Sequence, residues 1–187
     1  MNTTQYLNEI EQGFQAALET AKATISKADE AQLHLPEAPG KWNMLQCLQH
    51  LTLATRVYTE NVKEALSTDN LAPASPEYKG HWKGRMFAKM NAPKPGGEIP
   101  MKVKTFKTME PPPQLDSREV IDAFFAEHEY MIELINESRA INIDKVKVAT
   151  ALGSLVKLRL GEAYRFLLAH TQRHIVQLQR IKNTVAA

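Results

Sequence analysis

Leu160, Ala163, Leu167, His170, His174, Leu178 and Ile181 recur at steps of three and four residues near the end of the chain. A stripe with that period is the inward face of an amphipathic α-helix. Two of its members are histidines, and this limits the fold more than any other feature. A helix of that length must bury its stripe against other elements, and it buries two imidazoles along with it. Polar groups on such a face need partners. Set four residues apart, the rings stand one turn apart on one side, where a single metal ion can satisfy both. Hydrogen bonds to water or a carboxylate are the alternative.

The rest of the chain supplies three more helical patterns. Leu7, Ile10, Phe14, Ala17, Leu18, Ala21 and Ile25 predict a first helix over about 4–27, interrupted only by Gly13. A loop follows at Leu35-Pro-Glu-Ala-Pro-Gly40. Asn43 is a good N-cap for a second helix over about 43–67, through Leu45, Leu48, Leu51, Val57, Tyr58, Val62 and Leu66. Asp116 and Glu119 have capping-box spacing and open a third helix over about 117–138, with Ile121, Phe124, Phe125, His128, Met131, Ile132 and Ile135 inward. The fourth helix runs over about 161–183 after a loosely patterned stretch. No sheet is expected. Four such helices in 187 residues predict one all-α domain over 1–187, a four-helix bundle.

Between the second and third helices the composition changes. Residues 73–113 hold eight of the ten prolines, four of the eight glycines and eight Lys/Arg against three Glu. Connections this long inside a compact domain are usually functional or disordered. His81, Trp82, Met86, Phe87, Met90, Ile99, Met101, Val103 and Phe106 give it too much apolar and aromatic content for simple disorder. The segment is expected to pack across the bundle as a flap. Lys102, Lys104 and Lys107 read as a solvated cationic edge more readily than as an anion site.

The third ligand for a metal is His50, on the second helix. In an up-down-up-down bundle the second and fourth helices are parallel, and His50 and His170 then differ in height by about 3 Å. His50, His170 and His174 can meet there, leaving open positions that mean chemistry rather than a structural clip. Cys47, one turn before His50, is either a fourth ligand or a small core residue. His128 falls roughly 4 to 5 Å deeper, as an added ligand or a buried hydrogen-bonding residue. Glu162 is placed to orient a histidine or accept a proton, although a Glu in a first helical turn is also favoured by the helix dipole.

The totals narrow the partners. A formal charge of +2 with no short basic block argues against nucleic acid. There is no leader-like N-terminus and no run of 18 apolar residues, so a membrane is not expected. A single cysteine, Cys47, fits a reducing compartment, and a cytoplasmic location follows as the expectation.

Two stretches resemble a known family. Pro39-Gly-Lys-Trp42-Asn-Met-Leu-Gln-Cys-Leu-Gln-His50-Leu51 is similar to the start of the second helix in the DinB/YfiT-like superfamily, and Gly161-Glu-Ala-Tyr-Arg-Phe-Leu-Leu-Ala-His170-Thr-Gln-Arg-His174-Ile175 to its terminal helix. His50, His170 and His174 match the family's metal ligands, and Trp42 its aromatic at the helix start. The basic loop departs most. The resemblance implies a four-helix bundle of unusual helix order, one divalent ion (nickel, zinc, iron or manganese) and a homodimer. It also implies a small-molecule reaction, foremost S-transfer with a low-molecular-weight thiol as co-substrate. Lys83, Arg85 or Lys89 in the flap would then meet that thiol's carboxylates. The alternatives are a metal-dependent hydrolase using a water on the ion, with Glu162 or His128 as base, and a non-catalytic metal-binding or stress-related interaction module.

Overall fold

The computed structural model describes every residue except 95, 100–104, 152 and 187, and every described side chain except those of residues 83, 154 and 155. Lys102, Lys104, Met101, Val103 and the side chain of Lys83 therefore lie outside the described residues. Four long helices form the bundle: α1 (Thr3–Ile25), α3 (Met44–Leu66), α5 (Ser117–Glu137) and α6 (Leu160–Val185). Two short helices lie outside it, α2 (Glu30–His34) and α4 (Trp82–Asn91). An antiparallel hairpin, β1 (Lys147–Thr150) and β2 (Gly153–Arg159), joins α5 to α6.

Local chemistry sets the helix starts. Asn2 accepts a hydrogen bond from the Gln5 N–H at 3.0 Å, and Asp116 one from the Glu119 N–H at 2.9 Å. Asn43 and Gln46 cap each other reciprocally, which satisfies two backbone donors that the first turn leaves without intrahelical partners. Each cap of this kind contributes about 1 kcal/mol.

The helix directions differ from an up-down-up-down order. Along α1 and α6, Tyr6 bonds Gly161, Glu9 pairs with Arg165, and Gly13 meets Leu168, so these two helices are parallel. A Cβ on Gly13 would lie 2.6 Å from Leu168, which explains the glycine inside the α1 stripe. Leu45, Leu48 and Leu51 of α3 cluster with Val120 and Phe124 of α5, and Tyr58 and Val62 with Met131, Leu134 and Ile135, so α3 and α5 are parallel too. Between α3 and α6 the order reverses: Cys47 meets His174 and Tyr58 meets Phe166. The second and fourth long helices are thus antiparallel, correcting the parallel arrangement expected from alternation.

This topology accounts for the long connection. With α3 and α5 parallel, the chain must travel back the length of α3, about 35 Å at 1.5 Å per residue. A tight turn cannot span that distance. Part of the return packs as α4 along α6, where Gly84 and Ala88 are buried. A 3-10 turn at Lys107–Met109 then buries Met109 over α3.

The core divides into two apolar clusters, one towards each end of the bundle. At the boundary lie buried polar residues, including His50, Thr55, His128 and His174. The hairpin corrects the expectation of no sheet, and it follows period-two burial: Val146, Val148 and Thr150 are buried while Lys145 and Lys147 are exposed. Gly153, at φ 114°, supplies the turn conformation that other residues resist. Among the described residues no helix is long and apolar enough to cross a membrane.

Candidate metal centre

His50 comes early in α3, seven residues into the helix, and His170 and His174 lie at the middle of α6. Because the two helices are antiparallel neighbours, these positions fall at one level. The three ring centroids are 4.6 to 5.3 Å apart, and one potential ligand atom from each histidine lies within 4.8 Å of the others. Three imidazoles on two rigid helices thus converge on a common point.

The hydrogen bonds around them decide which nitrogen faces that point. The Nδ1–H of His50 donates to the Met109 carbonyl at 2.9 Å, and the Nδ1–H of His174 to Gln177 Oε1 at 2.9 Å. Each ring is fixed in the tautomer that leaves the Nε2 lone pair available, the usual supporting arrangement of a metal-ligating histidine. His170 Nε2 is buried and has no hydrogen-bond partner. An orphaned buried imidazole nitrogen is costly unless something absent from the protein satisfies it. A divalent ion fits that requirement, and all three donors are of the borderline type that first-row divalent metals accept.

Protonation favours the same use. Burial holds the His50 imidazole below its ordinary pKa. Burial, then the proximity of His50, lowers His170 to about 3. His174 is pushed well below the ordinary value by burial, with His170 and His50 adding to it. All three are therefore neutral near pH 7, as metal binding requires. Trp42 covers one side of the cluster, its ring 4.9 Å from His50, and His50 and His174 are only 4% and 8% exposed.

The other sequence candidates sit elsewhere. Cys47 is fully buried and donates its thiol to the His174 carbonyl at 3.4 Å, and burial pushes its pKa up to about 12. It packs as a small core residue against the backbone of a candidate ligand. His128 donates from Nδ1 to the Phe124 carbonyl at 2.8 Å and accepts from Thr55 at Nε2, so neither nitrogen faces the cluster. Glu162 is committed to structure, accepting the His81 N–H at 2.5 Å and the Arg159 N–H at 3.1 Å. Eight residues separate it from His170, about 12 Å along the helix.

Arg85 and Lys89 also lie away from the histidines. They share a cavity with Arg165, Leu168 and Gln172. On a helix of 3.6 residues per turn that face of α6 is roughly 170° from the His170–His174 face. The helix itself separates these cations from the cluster, so they do not approach a thiol held there. The sequence reading missed the two groups that orient the rings. Gln177, one turn after His174, was open to inference from spacing, whereas the Met109 carbonyl depends on a long-range turn and has no local signal.

No curated protein and no solved structure matches the chain. A sequence model of the DinB superfamily matches residues 13–178, a span that includes all three converging histidines and most of the four bundle helices. The chain belongs to the DinB superfamily.

Proposed function

We propose that this protein is a metal-dependent enzyme in which His50, His170 and His174 hold one divalent ion, and that its reaction is S-transfer from a low-molecular-weight thiol. The observation that carries the metal is the set of three neutral imidazoles, two of them buried and oriented through Nδ1 and the third, half-buried, with a buried and unsatisfied Nε2. When bound, the ion would act as a Lewis acid, lowering the pKa of a thiol or water that coordinates it. The protein's own contribution is orientation and exclusion of water. The Met109 carbonyl and Gln177 set the two ring planes, and Trp42 with the Lys107–Met109 turn covers the cluster.

The disposition of proton-transfer groups bears on the choice between thiol transfer and hydrolysis. Coordination acidifies a water as it does a thiol, so the nucleophile alone does not separate the two reactions; a hydrolase must also deliver a proton to its alcohol or amine leaving group. Glu162 is held by two backbone N–H groups and His128 by Thr55 and Phe124, and neither reaches the cluster. Thiolate attack on an electrophile whose leaving group departs as an anion needs no proton donor at the cluster, and this supports transfer. The test is turnover of an electrophile such as monochlorobimane with a panel of cysteine-based low-molecular-weight thiols. Thiol-dependent turnover that needs the metal and is lost in His50→Ala supports the proposal. Metal-dependent ester or amide hydrolysis without any thiol would replace it with the hydrolase.

A further inference from the structure

A cavity of about 690 Å³ lies between α1, α4 and α6, on the side of α6 away from the histidines. Its floor is built from small and apolar residues, Gly13, Ala88, Leu168 and Ala169, and the small side chains keep the space open. Its rim is cationic. Lys79, Arg85 and Lys89 line the α4 side and Arg165 the α6 side. Among the described residues Lys79, Arg85 and Lys89 belong to no ion pair, and Arg85 reaches only the Lys79 carbonyl at 3.4 Å. Two carboxylates are present, and both are engaged. Glu162 accepts the two backbone N–H groups already described, and Glu9 faces Arg165 at 3.6 Å and Gln5 at 3.3 Å.

The charge of the segment that provides α4 points the same way. Residues 79–107 carry eight Lys/Arg against one Glu, whereas the whole chain has 23 against 21, so the remainder carries 15 against 20. All of the chain's excess positive charge lies in this segment, and three of its eight cations, Lys79, Arg85 and Lys89, line the cavity. Such a concentration raises the local level of anions and guides them in.

We propose that the cavity is a second binding site, for a small amphipathic anion: a phosphate or carboxylate on an apolar ring. Its volume is in the range of small-molecule sites and far exceeds a bare phosphate, which would leave the apolar floor wetted. The anionic group meets Arg85 and Lys89, one turn apart on α4, and the ring lies on Leu168 and Ala169. This site is independent of the metal centre and of the reaction proposed there.

The experiment is a fluorescence titration of the full-length, metal-loaded protein with 1-naphthyl phosphate, repeated with 1-naphthol and with inorganic phosphate as competitor. Saturable binding of one equivalent is expected, weakened about tenfold or more in the Arg85→Glu/Lys89→Glu variant, the order of a lost hydrogen bond to a charged group. Both residues are exposed, so the variant should fold; Lys63→Glu, an exposed cation elsewhere, and His174→Ala, which tests the site in metal-depleted protein, should bind as the wild type does. 1-Naphthol should bind about tenfold more weakly, and inorganic phosphate should compete only at much higher concentration. No saturable binding, equal binding of 1-naphthol, or unchanged affinity in the double variant would overturn the site. Binding that is lost in His174→Ala and kept in the double variant would place the anion at the metal centre and overturn it equally.

Discussion

Replacing His128 by glutamine should remove a measurable part of the protein's acid sensitivity. His128 is fully buried, with Nδ1–H on the Phe124 carbonyl and Nε2 accepting from Thr55, and burial lowers its pKa from 6.5 to about 4. The sign follows from proton counting. Between about pH 4 and 6.5 the unfolded chain protonates this residue and the folded one does not, so stability rises with pH across that window. The contribution is complete above pH 6.5 and is lost as the pH falls towards 4. At pH 4.5 the two pKa values correspond to a loss of roughly 2 to 3 kcal/mol. Glutamine keeps an acceptor for the Thr55 hydroxyl but cannot take up a proton. Urea unfolding of the metal-free proteins at pH 7 and pH 4.5 measures the effect. The wild type should lose roughly 2 to 3 kcal/mol more than the variant between the two pH values. The three clustered histidines titrate in both proteins and cancel in that difference apart from the small charge coupling between His128 and His170. An equal acid loss in both would show that His128 is not the buried neutral residue described above.

Two further outcomes test neighbours of the cluster. Cys47, buried with its pKa raised to about 12, should not react with a disulfide reagent in the folded protein and should react fully after denaturation; rapid labelling of the native state would contradict its place in the core. Gln177→Ala removes the acceptor that fixes His174 and should weaken divalent-metal affinity about 10-fold to 100-fold, measured by competition with a chromophoric chelator, with little change in thermal stability.

The bundle was legible because its helices repeat the same signal many times. Seven apolar positions in α1, and seven in α6 of which two are histidines, are enough to establish a period. The caps at Asn43 and Asp116 were readable for a related reason, since each acts within three residues of itself. Helix direction was not readable, because nothing within α3 records whether its neighbour is parallel. The length of the 73–113 segment held the clue: a chain that must return along the bundle before starting α5 needs that many residues. Helix α4 escaped notice because its ten residues include Gly84 and offer only one buried face, and the hairpin because Val146, Val148 and Thr150 alternate over too few positions. At the site, the i, i+4 histidines on α6 and the Cys47–His50 turn on α3 could be placed locally. Their convergence depends on the antiparallel contact of α3 and α6, and the roles of Glu162 and Cys47 on partners far away in sequence.

The measurement that bears most directly on the central claim is elemental analysis of untagged, chelator-free protein, wild type beside His50→Ala and His174→Ala. The account predicts about one equivalent of a divalent transition metal in the wild type and a steep fall in both variants, because ligands from α3 and α6 close on one ion. Full retention of the metal in His50→Ala, or no uptake by the wild type from any of zinc, nickel, iron or manganese, would contradict it.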